Sequence, residues 1–305
     1  MFTDAKFKVI GKSPIRHDGN DKVTGRALYG ADMNLPGMLY GKVLRSPHAH
    51  ARIKSINVEK AANHPNCKAI VTSKDLAKSP VITKEPLYGQ VRITNVLASD
   101  KVLYKGHPIL AVAAKSVDDA EELLDLIDIE YEILNSVTNA EDAIKDGANV
   151  LHENWKKSDD ILEVNSNGTN IGTIEVYKLG NADDELKKSE FIIEREFRTK
   201  TVHQGYIEPT NGTAWWRPND RLTIWCSSQG HFGIRDSVAQ VLGISASNIT
   251  VIPMEIGGGF GGKLSAYLEP LAAILSKKSG NPVKMTMSRS EVLEATGPTS
   301  GSYQK

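Results

Sequence analysis

The chain has 305 residues, 40% hydrophobic and 24% charged, an ordinary soluble composition with room for about two domains. Lys+Arg and Asp+Glu both total 37, so no net field draws it to nucleic acid or to an anionic membrane. No apolar stretch approaches the ~18–20 residues of a bilayer span, and Met1-Phe2-Thr3-Asp4-Ala5-Lys6 lacks the layout of a secretory leader.

The opening residues read as an extended arm, with turn material at His17-Asp18-Gly19-Asn20 and Leu35-Pro36-Gly37. Residues 1–19 are assigned to the arm and 20–135 to a first α+β domain. In that domain 38–44, 51–58 and 67–72 are strand-like, and 58–64 suits a short helix. Gly106-His107-Pro108 turns between strand segments 102–104 and 109–113. Ser116 is an N-cap candidate with Asp119 three positions on, the spacing of a capping box. Ala120, Leu123, Leu124 and Ile127 then recur at helical spacing, and 127–133 returns to a strand. His48 and His50, two apart, are expected at a surface or domain contact.

Periodicity is lost over 136–171, a connector containing the polar run Asn165-Ser166-Asn167-Gly168-Thr169-Asn170. A second α/β domain is expected over 172–305. It should hold a helix at 181–189, strands at 191–197, 213–217 and 222–226, and an amphipathic helix at 230–242 closed by Gly243. Trp215 and Trp216 must face opposite sides of their strand. A helix over 266–279 and a strand over 283–287 follow, so close to Lys305 that the domain is expected to be completed elsewhere. Neither Cys67 nor Cys226 lies in a Cys-x-x-Cys pair, so the chain itself shows no iron–sulfur or structural zinc motif, and a cytoplasmic location with reduced thiols is expected.

The densest signal is Gly257-Gly258-Gly259-Phe260-Gly261-Gly262-Lys263, directly after the apolar run Ile249–Met254. Three readings compete for it. Gly257-x-x-x-x-Gly262-Lys263 satisfies a nucleotide-binding phosphate loop literally, but Leu264 stands where the Mg²⁺-ligating Ser or Thr belongs. Alternatively the glycines only let a strand turn tightly into a packed helix. The third reading is close backbone approach to a bulky anionic cofactor, with N–H groups as donors and Phe260 at its edge. His203, Gln204 and Glu208 could suggest a metal cluster, yet adjacent residues diverge when extended. Glu208 therefore reads as a structural support for the loop, and Lys263 as a helix-start or cofactor-anion contact.

Several ordered words surround this loop. They are Asp21-Lys22-Val23-Thr24-Gly25, Arg45-Ser46-Pro47-His48-Ala49-His50-Ala51, Phe191–Phe197, His203-Gln204-Gly205-Tyr206-Ile207-Glu208-Pro209, Trp225-Cys226-Ser227-Ser228-Gln229 and Val241-Leu242-Gly243. Together they resemble the molybdenum-binding subunit of the xanthine dehydrogenase/aldehyde oxidase family, from about Gly11 to Thr299. The resemblance implies an N-terminal α/β hammerhead domain followed by the first part of a molybdopterin-binding α/β domain. It implies that Gln229 hydrogen-bonds an oxygen on molybdenum and that Gly258, Gly259, Phe260 and Gly261 contact the pterin. The cofactor implied is molybdopterin with Mo, in the cytosine dinucleotide form.

What the resemblance implies about activity is the oxidation of an aldehyde or aromatic N-heterocycle with water-derived oxygen. Electrons would pass to [2Fe–2S] clusters and FAD on partner subunits, one an iron–sulfur and the other a FAD subunit. Purine-oxidising relatives carry Glu after the loop lysine; Leu264 here implies a substrate not held like xanthine. The family's catalytic glutamate lies in a later segment, so either a second molybdopterin-binding chain completes the site, as in the nicotinate dehydrogenase type and as expected here, or this sequence is a fragment of a longer subunit. By itself the chain is expected to be inactive. A metal-free assembly homologue is the alternative from another functional class.

Overall fold

The computed structural model describes residues 7–76, 93–153, 170, 171, 174 and 176–305. Residues 1–6, the polar run at 165–169 and the expected domain start at Gly172 lie outside them.

Twelve strands are named among the described residues: β1 Leu39–Arg45, β2 Ala51–Asn57, β3 Ala69–Thr72, β4 Lys101–Val102, β5 Pro108–Ala114 and β6 Asp128–Ile133, then β7 Phe197–Thr199, β8 Asn211–Trp216, β9 Leu222–Cys226, β10 Ile249–Pro253, β11 Val283–Thr286 and β12 Ser302–Gln304. Seven of them form one sheet in the order β10-β9-β8-β11-β1-β5-β3. Segments from both halves of the chain therefore share a single sheet, joined where β1 runs parallel to β11. The strands β4-β2-β6 form a separate three-stranded sheet, and β7 with β12 makes a two-stranded ribbon.

β5 shows how the sheet is built. Its Pro-Ile-Leu-Ala-Val-Ala-Ala run is buried throughout, as expected for an interior strand covered on both faces. Strand periodicity sends Leu110 and Val112 to one side, where they pack with Leu123 of α1 (Val117–Asp125). Ala111 and Ala113 go to the other, into the main core with Leu271 and Leu275 of a later helix. Ser116 caps α1 by accepting from Asp119 N–H at 3.0 Å. The expected capping box is only half made, because the Asp119 carboxylate accepts from Asn66 Nδ2 at 2.7 Å instead.

The later helices are α2 (Ala182–Lys188), α3 (His231–Leu242), α4 (Glu269–Ser279) and α5 (Arg289–Ala295), and short helices of four or five residues also stand at Gly19–Val23, Glu59–Ala62 and Ala140–Ala143. α3 ends at Gly243 with φ 67°, and α4 at Gly280 with φ 70°, left-handed caps that glycine adopts without strain. Two expectations need correction. Of the strand expected at 191–197 only Phe197 lies in one, at the head of β7, because 191–196 makes no ladder pairing. The helix expected from 266 begins at Glu269, because Glu269 Oε2 draws in the Tyr267 and Leu268 N–H groups at 2.9 and 3.1 Å and caps the turn.

The histidine pair lies just ahead of β2 and makes contacts inside the first half of the chain. His50 Nδ1 meets the Asn135 carbonyl at 2.9 Å, and the His48 ring lies edge-on to Tyr131. Trp216 is buried while Trp215 is half-exposed beneath Arg217.

Candidate cofactor site

β9 and β10 are parallel neighbours linked through α3, a βαβ unit. Their carboxyl ends both deliver chain to one place, the location where open α/β sheets hold ligands. From β9 the chain runs out as Ser227-Ser228-Gln229, and from β10 as the glycine loop. Cross-bonds hold the two together. Gln229 N–H and the Ser228 hydroxyl both donate to the Lys263 carbonyl, at 2.9 and 3.0 Å. Gln229 Oε1 accepts from Gly261 N–H at 3.0 Å and from Lys263 N–H at 3.3 Å. Two N–H donors fix which end of the carboxamide is oxygen, and leave Nε2 on the other end as a donor.

The glycines divide by purpose. A Cβ on Gly257 would stand 2.4 Å from Glu208 Cβ, and one on Gly262 would stand 2.8 Å from the Tyr206 ring. Those two glycines permit packing inside the protein. A Cβ on Gly259 would stand 2.5 Å from Gln229 Oε1, so Gly259 makes room for the carboxamide. Gly258 and Gly261 have φ of 96° and 87°, a region that side-chain-bearing residues rarely enter. Phe260 nevertheless adopts φ 50°, with its ring 75% exposed and folded back over Gly258. An apolar ring held outward on a left-handed backbone is a costly arrangement that persists where the surroundings impose it, and such outliers cluster at ligand sites. Among the described residues, the N–H groups of Gly258, Gly259 and Phe260 donate to no protein acceptor.

Beneath the loop lies an ion pair. Lys263 Nζ meets Glu208 Oε2 at 2.7 Å, with 2% of the lysine side chain and 10% of the glutamate exposed. Glu208 also accepts from Gly257 N–H at 2.7 Å, the Ser227 hydroxyl at 2.6 Å and Asn211 Nδ2 at 3.2 Å. Burial by itself pushes the Glu208 carboxyl up, but the lysine, the serine hydroxyl and the glycine N–H together bring it below the usual carboxylate range. Burial lowers the Lys263 amine against the opposing pull of Glu208. The expected structural role of Glu208 thus has a complete set of contacts.

Lys263 departs from expectation. It is five residues ahead of Leu268, the N-cap of α4, and its amine is taken up by Glu208 rather than offered to an anion. With no helix opening directly after the lysine, the phosphate-loop reading loses both of its defining parts.

Sequence reasoning left several supporting residues without a role. Tyr206 is buried under Lys263, whose Nζ lies 4.8 Å from its ring centroid. His203 Nδ1 accepts from Gly205 N–H at 3.0 Å, which places the ring proton on Nε2 to donate to Thr296 Oγ1 at 2.7 Å. Thr296 in turn donates to the Val292 carbonyl. His203 is thereby structural, and among the described residues no group of His, Cys, Asp and Glu could hold a metal ion. Gly30, near the end of the N-terminal region, brings its N–H to Ser227 Oγ at 3.3 Å and Glu208 Oε1 at 3.4 Å. No local signal marks that contact, since 178 positions separate Gly30 from Glu208.

Past the loop, Leu264 borders a cavity of about 770 Å³ between the two halves of the chain, along with Arg45, Tyr104, Val241, Tyr267 and Met287. No helix among the described residues is long and apolar enough to cross a membrane.

This geometry meets independent likenesses. Residues 24–135 match the aldehyde oxidase and xanthine dehydrogenase a/b hammerhead domain, and residues 164–305 match the molybdopterin cofactor-binding domain. The chain is 33% identical over 288 residues to the xanthine dehydrogenase molybdenum-binding subunit of Escherichia coli, covering 92% of this chain and 36% of that protein. It is 31% identical to the nicotinate dehydrogenase large molybdopterin subunit of Eubacterium barkeri, covering 93% of this chain and 63% of that one. The solved structure of reconstituted CO dehydrogenase from Oligotropha carboxidovorans superposes with a TM-score of 0.79 at 29% identity, over 95% of this chain and 36% of that one. The chain therefore spans between about a third and two-thirds of these relatives. With its hammerhead and molybdopterin cofactor-binding domains in succession, it belongs to the xanthine dehydrogenase/aldehyde oxidase family of molybdenum-binding subunits.

Proposed function

We propose that this chain seats a molybdenum–molybdopterin cofactor against Gln229 and the Gly258–Gly261 backbone, as one component of a hydroxylase acting on an aldehyde or aromatic N-heterocycle. The observation that carries this reading is the clamped carboxamide of Gln229. Its oxygen is occupied by Gly261 and Lys263 N–H, so Nε2 is the group it offers to a ligand. Beside it, Gly258, Gly259 and Phe260 supply unclaimed N–H donors, and Gly261 opens onto free space. Such a donor set suits an electron-rich, anionic group approaching at van der Waals distance, and so fits molybdopterin. When bound, that cofactor supplies the redox-active metal on which oxygen from water is transferred.

The chain's own residues bind and orient. Gln229 provides a neutral donor of fixed direction, Phe260 packs at the cofactor's edge, and the Glu208–Lys263 pair keeps the loop in register. Leu264 presents a hydrocarbon face to the adjoining cavity, which favours an apolar contact there over the hydrogen bonds a purine would require. The general base, the remaining cofactor contacts, the [2Fe–2S] clusters and the FAD are assigned to partner chains: a second molybdopterin-binding chain, an iron–sulfur subunit and a FAD subunit, in the cytoplasm. The cytosine dinucleotide form of the cofactor is the one proposed.

Metal and pterin analysis of the complex purified with its partner chains tests this reading. Molybdenum with a pterin fluorescence signature, both diminished by Gln229→Ala, is the expected result. A complex free of both, indifferent to Gln229→Ala, would show a metal-free assembly homologue instead. Efficient xanthine turnover by the loaded complex would overturn the substrate reading drawn from Leu264.

A further inference from the structure

The word Asp21-Lys22-Val23-Thr24-Gly25 folds into a hook. Gly19–Val23 is a short helix, Thr24 closes it, and Gly25 turns the chain back with φ 72°. The Asp21 carbonyl then accepts from Arg26 N–H and Ala27 N–H, at 2.9 and 3.0 Å. This reversal brings Lys22 and Leu28 to the same residue, Glu255. Lys22 Nζ pairs with the Glu255 carboxylate, and the Leu28 carbonyl accepts from Glu255 N–H at 2.9 Å. Tyr29, whose ring lies under Lys22 Nζ, forms a parallel bridge with Glu255. Glu255 stands just ahead of Gly257, so the hook grips the chain where it enters the glycine loop.

The next residues reach the loop's support from below. Gly30 N–H approaches Ser227 Oγ and Glu208 Oε1 at 3.3 and 3.4 Å. A Cβ on Gly30 would stand 1.6 Å from Asn211 Oδ1, and Asn211 Nδ2 donates to the same Glu208 oxygen at 3.2 Å. Further on, Lys284 Nζ of β11 donates to the Ala31 and Met33 carbonyls at 2.9 and 3.1 Å and ties down the far end. We infer that residues 19–33 form a strap that positions the cofactor loop, with Lys22 and Gly30 as its positioning residues. Lys22 acts through Glu255, and Gly30 acts through Glu208, which in turn holds Gly257 and Lys263. The inference rests on the cofactor reading proposed above. Apolar burial contributes little to holding the strap, because Val23 and Leu28 are 84% and 60% exposed. A segment fastened by a few polar contacts opens locally without unfolding the rest. Its release frees Glu255 and loosens Gly257, so the N–H donors of Gly258, Gly259 and Phe260 lose the fixed direction that grips an anionic ligand.

The test breaks the pair with Lys22→Ala and restores it in reverse with Lys22→Glu/Glu255→Lys. Amide hydrogen exchange is followed at Gly257, Gly261 and Lys263 in the full chain. Pterin release is timed by fluorescence in the complex purified with its partner chains. Lys22→Ala should speed both by about 10-fold with the circular dichroism of the wild type, and the reversed pair should recover most of the loss. Lys42→Ala serves as the control, since it breaks the Lys42–Glu121 pair between β1 and α1. It should leave both rates within about twofold of wild type. Loop exchange or pterin release unchanged by Lys22→Ala, or speeded equally by Lys42→Ala, overturns the strap and leaves the proposed function standing. A wild-type complex that carries no pterin overturns both.

Discussion

The ion pair under the glycine loop offers the sharpest quantitative test. Glu208→Gln preserves shape and one carbonyl acceptor but leaves the Lys263 amine, on a side chain only 2% exposed, without a counter-charge. Removing one partner of a buried pair costs about 3–5 kcal/mol. At about 2 °C per kcal/mol for a chain of this size, the melting temperature should fall by roughly 6–10 °C. The double variant Glu208→Gln/Lys263→Met removes the stranded charge and should recover most of that loss, because the larger part of the penalty is the uncompensated charge. Thermal unfolding near neutral pH supplies both numbers, and raising the salt to about 0.5 M should leave them nearly unchanged, since a buried pair is little screened. The pH dependence has a definite sign. Glu208 lies below its ordinary value of 4.5 in the folded chain, so its contribution is present above that pH and fades as pH falls through the lowered value. A Glu208→Gln chain that melts within about 1 °C of wild type, or a double variant that loses the sum of the singles, would refute the assignment.

Other residues yield expectations of different kinds. Gly259→Ala should expel Gln229 from its two N–H donors, because the new Cβ would stand 2.5 Å from Oε1. We expect pterin retention to collapse while unfolding free energy changes by only about 1–3 kcal/mol, measured by fluorescence of the released pterin and by urea melts. Glu269, wholly buried, has its carboxyl pushed up to about 7 by burial, from an ordinary 4.5. The folded chain prefers it protonated, so wild type should lose roughly 3 kcal/mol as pH rises from 4.5 to about 7, and Glu269→Gln should flatten that slope in denaturant titrations. Thr296→Val removes the hydroxyl shared by His203, Tyr206 and Val292 and should cost about 1–3 kcal/mol by denaturation, with Thr296→Ser restoring most of it.

What was legible in the sequence is what depends on neighbours along the chain. The caps at Ser116 and Gly243 were readable because a cap and its partner lie within a turn of each other. The strand at 109–113, which is β5, was readable for a similar local reason. The strand expected at 191–197 failed because alternation describes a face but cannot supply the strand that covers it. Even the glycine loop was only half readable. Five glycines announce close approach, yet not what approaches. Two of them admit Glu208 and Tyr206, and one admits Gln229, so only part of the cluster is left to face a ligand.

Lys263 makes the same point for charge. Its spacing after Gly262 fits a phosphate loop, and only Leu264 beside it speaks locally against that assignment. Glu208, 55 positions earlier, decides the matter by taking the amine at 2.7 Å. A lysine so paired cannot neutralise an incoming anion without abandoning a buried carboxylate, which would incur the penalty worked out above. An anionic ligand at this site, as proposed, would therefore be held through uncharged donors: the loop's free N–H groups and the Nε2 of Gln229. Affinity built that way depends on fixed direction rather than on charge, and fixed direction is what the clamp on Oε1, the left-handed backbone at Gly258, Phe260 and Gly261, and the ion pair beneath them jointly enforce.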